Sequence, residues 1–176
     1  MARLHFPVIT ALGALFLGGC GGTDEAAEDV TTEAVEAWSV DQKSYNLGSI
    51  GAFAEMVDAG VKTLALSAAL EPDRMDRLVT EAEDVARDHD VRIFRESEFL
   101  VTDLFSPELT AGKDVLVIYR GDTLDRYLAL KDAKASLLES GGYEGEPRRE
   151  IARRFGRLLS YSEAKIEALL EEGSPS

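Results

Sequence analysis

Several polar side chains of this sequence stand at the ends of short apolar runs, where an α/β chain carries its chemistry. Ser67 follows Val61–Leu66, Arg95 and Glu96 follow Val91–Phe94, and Arg120 with Asp122 follow Val115–Tyr119. Asp103 forms a polar pair with Thr102 inside the apolar stretch 101–105. In open α/β sheets ligands bind outside the carboxyl ends of the strands. An Arg, a Glu and an Asp meeting there would bind an anion or move a proton. Each residue also has a plainer use. Asp122 suits a helix N-cap, with Asp125 favouring the same positive dipole end. Asp103 suits a turn that bonds its own backbone, or, if buried, a pair with Arg120. Ser67 can end a strand, and Arg95 and Glu96 can face water.

A second basic feature is the stripe Arg149, Arg153 and Arg157, with Arg148 and Arg154 beside it. Like charges at helical i, i+4 spacing repel by about 0.2–0.5 kcal/mol per pair, so the stripe calls for acidic compensation. Glu144, Glu146 and Glu150 can supply it from nearby sequence. An external anion, such as a phosphate of lipid or envelope polymer, or an acidic protein partner, would do the same. Other motifs carry less. Gly48-Ser49-Ile50-Gly51 opens a helical stretch with no strand before it, so helix packing explains it better than phosphate binding. His89, between Asp88 and Asp90, suits a helix C-terminus, where a cation opposes the dipole.

These residues need elements to position them. Leu47, Ile50, Phe53, Ala54 and Val57 recur at helical spacing, and Gly60 stops the run. Val61–Leu66, Val91–Phe94 and Val115–Tyr119 read as strands, and Phe99–Val101 as a further strand or an extended crossing segment. Pro72 and Asp73 open a helix whose stripe is Met75, Leu78, Val79, Ala82, Val85 and Ala86. Asp122–Leu138 is another, with Leu124, Tyr127, Leu128, Leu130, Ala135 and Leu138 inward. After Gly141-Gly142-Tyr143-Glu144-Gly145 come helices over Glu146–Leu159 and Glu163–Leu170, with Ser160 and Glu163 at capping-box spacing. Alternating strands and helices predict an α/β fold: a small layered sheet of about three to four mostly parallel strands with helices, plus a C-terminal helical pair.

Composition removes several functions. The chain has 176 residues, with 33 Asp+Glu against 19 Lys+Arg, a formal net charge of −14 and 45% hydrophobic content. That length is ample for one packed core. The acidic balance argues against nucleic acid, whose backbone needs clustered cations. One Cys excludes an intrachain disulfide framework, and two His exclude a His-rich metal site. There is no Walker loop and no dinucleotide fingerprint, so no cofactor is expected.

The amino-terminal residues carry an address. Arg3 precedes an apolar run, Phe6–Leu17, which falls short of the roughly 20 apolar residues of a membrane span and has the length of a signal-peptide core. It leads into Leu17-Gly18-Gly19-Cys20. An aliphatic residue, two very small ones and then Cys resembles the lipobox of bacterial lipoproteins. The resemblance covers only these first residues. It implies a diacylglyceryl group on the Cys20 thiol, cleavage before it and acylation of the new amino terminus, giving a stable membrane anchor. Gly21 follows the Cys, where an Asp resembles an inner-membrane retention signal in enterobacteria. The outer membrane, at its periplasmic face, is therefore the expected location in a two-membrane cell. Beyond Cys20, Asp24, Glu25, Glu28, Asp29, Glu33, Glu36 and Asp41 are met by no Lys or Arg up to Gln42. Such one-signed, weakly hydrophobic sequence reads as a solvated tether.

The organisation expected is a signal peptide over 1–19, a lipidated Cys and tether over 20–42, an α/β domain over 43–140 and its helical annex over 141–176. The function expected is that of a lipid-anchored cell-envelope protein that binds a partner or an anionic ligand. The alternative is a small carboxylate-dependent hydrolase or transferase acting on an anionic small molecule through Glu96, Asp103 or Asp122.

Overall fold

The computed structural model describes residues 41–172. Cys20, the lipobox before it and nearly all of the tether lie outside the described residues. All the described residues belong to one compact unit, Val40–Ser176.

The unit opens with α1 (Gln42–Asp58), whose first turn is capped by Asp41: its carboxylate accepts the Ser44 N–H. Gly60, in a left-handed conformation that a side chain would strain, turns the chain into β1 (Leu64–Leu66). The single helix expected after Pro72 is two: α2 (Pro72–Asp76) and α3 (Val79–Asp88), broken at Arg77 and Leu78. His89 is the C-cap residue of α3, the position expected for it. Then follow β2 (Arg92–Glu96), a 3-10 turn at Pro107–Leu109 and β3 (Val115–Tyr119). The chain continues through α4 (Thr123–Glu139), α5 (Gly145–Leu158) and α6 (Glu163–Glu172). Phe99–Val101 is neither the strand nor the extended segment expected: the Val101 N–H bonds the Phe99 carbonyl at 2.9 Å, closing a three-residue turn.

The sheet is three-stranded, ordered β1-β3-β2, and both pairings are antiparallel. The expectation of a mostly parallel sheet is therefore wrong. Its cause is the connection between β2 and β3. A parallel return needs a crossover helix that carries the chain back along the sheet. Residues 97–114 hold only one short 3-10 turn, so β3 starts beside the end of β2, with Val115 opposite Glu96. β1 and β2 do run in the same direction, as strand–helix–strand logic requires, but β3 lies between them.

β3 is buried throughout and divides its side chains by the pleat. Leu116 and Ile118 join Ala65, Ile93 and the inner faces of α1–α3, including Ile50, Ala54, Met75 and Ala82. Val117 joins Leu64, Phe94 and the helices α4–α6, where Tyr127, Leu130, Ile151, Phe155 and Ile166 meet. The result is three layers with a core on each side of the sheet, built within one unit. Leu138, expected inward, is 55% exposed, and Leu137 packs in its place.

Candidate functional site

The antiparallel sheet separates the residues that the sequence grouped. Ser67 and Arg95 lie at one end, both level with Leu116 of β3, whereas Arg120 and Asp122 follow β3 at the opposite end. Arg120 bonds there to Asp58 Oδ1 (3.0 Å) and Asp90 Oδ2 (3.2 Å). Asp122 occupies the N-cap position of α4, but its side chain makes no capping bond.

Arg95 and Glu96, as strand neighbours, point to opposite faces. Arg95 Nε donates to Asp114 Oδ2 at 2.6 Å and Nη1 to Asp76 Oδ1 at 2.6 Å, while Nη2 donates to the Pro72 carbonyl at 3.2 Å. Those carboxylates, Asp76 first, hold the guanidinium above its ordinary pKa. Glu96, 3% exposed, accepts from Lys131 Nζ at 2.8 Å and from the Glu98 N–H at 2.8 Å. Beside it Tyr127 is fully buried; burial, and then the charge of Glu96, push its phenol above the ordinary value.

Asp103 has a partner, but it is Arg148 of α5, which grips it with Nε at 2.9 Å from both carboxylate oxygens, and not Arg120. Lys134 and Tyr143 line the same depression. Lys134 donates to the Val101 carbonyl at 2.6 Å, and desolvation, helped by Arg148, lowers its pKa. Each cation there already has an internal acceptor.

The arginine stripe is compensated from within the chain. Arg153 meets Glu146 (2.5 Å), Glu150 (4.0 Å) and Glu167 (2.6 Å), and Arg157 meets Glu163 (2.8 Å) and Glu150 (3.7 Å). Arg149 reaches Glu167 at 3.8 Å. Two of these acids, Glu163 and Glu167, come from α6, so the stripe clamps α6 to α5.

Another concave surface lies along the outer edge of β1, which pairs with no strand among the described residues. Ser67 N–H bonds the Leu116 carbonyl at 3.0 Å, so in antiparallel alternation the N–H and C=O of Leu64 and Leu66 point away from β3. A groove of about 480 Å³ runs beside this edge. Phe53 of α1 walls it on one side; Phe99, Phe105, Leu159 and Tyr161 wall it on the other. Its size falls within the range of small-molecule sites, and its walls are chiefly apolar, as such sites require.

The walls are rigid for identifiable reasons. Phe99 and Phe105 stack edge-on to Phe155, with centroids 5.8 and 5.9 Å away. The turn bearing Leu159 and Tyr161 leaves α5 through Ser160, held at φ 62°. There the Tyr161 N–H bonds the Gly156 carbonyl at 3.0 Å, a Schellman-like close. Ser160 is thus not the cap of α6; Ser162 Oγ accepts the Lys165 N–H at 3.3 Å instead. Ser160 Oγ accepts the Thr63 N–H at 2.8 Å and Lys62 Nζ donates to the Leu159 carbonyl at 2.9 Å, tying the turn to the start of β1.

Of the residues expected to line a ligand crevice, Ser67 lies in this groove. The rest of its lining was not expected, because Lys62 and the phenylalanines come from segments whose adjacency only the strand order creates; the further signal was a Lys inside the strand run 61–66. No protein-family model, no curated protein and no solved structure matches the chain. Among the described residues no helix is long and apolar enough to cross a membrane, and no group of three or more His, Cys, Asp or Glu could hold a metal ion.

Proposed function

We propose that this chain is a lipid-anchored, extracytoplasmic binding module whose binding surface is the groove along β1. The observation that carries the reading is that groove: an apolar concavity beside an unpaired strand edge, with rigid aromatic walls. Anchoring rests on Leu17-Gly18-Gly19-Cys20, and Gly21 favours the outer membrane in a two-membrane cell. A binding role is also supported by the use of the carboxylates on which a hydrolase would depend. Glu96 pairs with Lys131 and Asp103 with Arg148, and Asp122 lies at the far end of the sheet.

Two measurements test the reading. In the native host, Cys20→Ser should abolish incorporation of radiolabelled palmitate and release the protein from membranes; unchanged labelling sinks the anchor. The Val40–Ser176 unit has its own two cores and can be studied alone. It should enhance the fluorescence of the neutral apolar probe N-phenyl-1-naphthylamine. Leu109→Asp, at a groove residue 57% exposed and so free of core packing, should weaken that binding at least about tenfold. Absence of probe binding to the parent unit rejects the groove.

A further inference from the structure

Among the described residues the lining of the β1 groove carries one charged side chain, Lys62, and no carboxylate. A lysine ammonium has three donors. Here one is spent on the Leu159 carbonyl at 2.9 Å, and the Tyr161 ring lies 5.9 Å from Nζ. Among the described residues no Asp or Glu forms an ion pair with Lys62, in a chain where acidic residues outnumber basic ones 33 to 19. Lys62 therefore brings a half-buried cation with spare donors to the end of an apolar trough. Beside it the outward N–H of Leu66, a residue of the groove lining, adds a further donor along the strand edge.

We infer that the groove takes a single-chain amphiphile with an anionic head, the head meeting Lys62 and the tail lying between Phe53 and the Phe99–Phe105 wall. This rests on the binding-module reading and names the ligand class of that site. The charge pattern selects this occupant. A neutral apolar ligand leaves the Lys62 donors unmet, and desolvating an unpaired cation is costly. A cationic amphiphile is repelled. An anionic head meets Lys62 in a charge-assisted bond and leaves the apolar walls for the tail. Tyr161 beneath the ammonium and the Leu159 carbonyl hold Nζ in place before a ligand arrives, which reduces the ordering cost of binding.

The test is displacement of N-phenyl-1-naphthylamine from the Val40–Ser176 unit by three ligands of equal tail length: dodecanoate, 1-dodecanol and dodecyltrimethylammonium, all below their micellar range. Dodecanoate should displace the probe at concentrations about tenfold or more below 1-dodecanol, the scale of one charge-assisted hydrogen bond. Dodecyltrimethylammonium should be weakest. In Lys62→Met, which keeps an unbranched apolar stem, dodecanoate and 1-dodecanol should displace the probe equally well, each read against that variant's own probe affinity, and Lys62→Arg should restore most of the preference. Equal displacement by dodecanoate and 1-dodecanol, or a preference that survives in Lys62→Met, overturns the ligand class while the groove stands. Failure of the parent unit to bind any of the four compounds overturns the groove reading and this inference together. A β1-edge dimer excluding the probe at high protein concentration, seen by sedimentation, assigns the edge to a second copy and overturns it too.

Discussion

Ser67 and Leu116 form a hydrogen-bonded pair in which a side chain stands in for a backbone carbonyl. Ser67 N–H donates to the Leu116 carbonyl at 3.0 Å, but the Leu116 N–H returns to Ser67 Oγ at 2.9 Å. The Ser67 hydroxyl proton goes to the Ala68 carbonyl at 2.8 Å. The hydroxyl thus ends β1 while keeping the fully buried Leu116 satisfied. Ser67→Ala leaves that N–H without an acceptor, and an unmet buried donor costs about 1–3 kcal/mol. Urea unfolding of the variant should show a fall of that size, and Ser67→Thr, which retains the oxygen, a smaller one. Equal stability of Ser67→Ala and the parent would show that the bond carries no weight.

How far the sequence could be read follows from the range of each signal. Helices and strands were legible because their periods are local: Ile50, Ala54 and Val57 mark α1, and Val115–Tyr119 marks the buried central strand. Strand direction was not, because it depends on what residues 97–114 do, and a loop holding one 3-10 turn resembles an irregular crossover in composition. That one error moved Arg120 and Asp122 away from Ser67 and Arg95. Asp103 was legible as a carboxylate in need of a partner, but Arg148, 45 residues on, is found only by folding. The Arg149, Arg153 and Arg157 stripe was legible as needing acids, and two of its acids, Glu163 and Glu167, come from the next helix.

Arg95 and Asp114 lead to a prediction about unequal partners. Asp114 is 3% exposed, and its side chain pairs only with Arg95 among the described residues, whereas Asp76 pairs with the same arginine from a side chain 65% exposed. Arg95→Met strands the buried carboxylate and should cost about 3 kcal/mol in chemical denaturation. Asp76→Asn breaks the exposed arm alone and should cost less than about 1 kcal/mol. Similar losses from both variants would contradict this division.

Alkaline stability should report Tyr127. Its buried phenol titrates above the ordinary value of 10, through burial first and then the charge of Glu96. A group whose folded pKa is raised contributes stability that is complete below the unfolded value and is lost as pH rises toward the folded one. Unfolding free energy should therefore decline from about pH 10 upward. Tyr127→Phe should make that decline shallower. Tyr143, whose phenol is also raised by burial, keeps part of the slope. The same variant should lose about 1–3 kcal/mol at neutral pH, because the buried Leu100 N–H, which bonds the Tyr127 oxygen at 3.3 Å, is left without that acceptor. An unchanged alkaline slope in Tyr127→Phe would remove Tyr127 from the account.

At acid pH the clamp between α5 and α6 should release. Hydrogen bonds from Arg157 and Arg153 hold Glu163 and Glu167 below the ordinary value of 4.5. Depressed carboxylates contribute stability that is present above the unfolded pKa and lost as pH falls through the folded one. Thermal midpoints should thus fall below about pH 4.5, and Arg153→Gln should flatten that limb by freeing Glu167 from its guanidinium. The Arg157–Glu163 pair is exposed and Glu167 is partly so beside a largely covered Arg153, so added salt should shrink the difference between parent and variant. A difference that persists undiminished at high salt would point to a buried origin instead.

The turn that walls the groove depends on how closely α6 approaches α5, and Gly156 sets that distance. A Cβ at this position would fall 2.6 Å from Ile166 Cγ1 and 2.8 Å from Ile166 Cδ1, inside any real contact. Ile166 is fully buried, so it cannot swing into water to make room. Gly156→Ala improves helix propensity by about 1 kcal/mol in isolation, but overpacking costs about 1–3 kcal/mol. The overlap is severe enough for the second effect to win, and the variant should be less stable. Ile166→Ala alone leaves a cavity and should cost about 2–5 kcal/mol. Combined, each change fills or vacates the space the other needs, so the double variant should be more stable than the sum of the singles predicts. Strict additivity in this cycle would mean that α6 shifts away from α5 without strain. In that case Gly156→Ala should also displace Leu159 and Tyr161 and weaken N-phenyl-1-naphthylamine binding, a readout independent of stability.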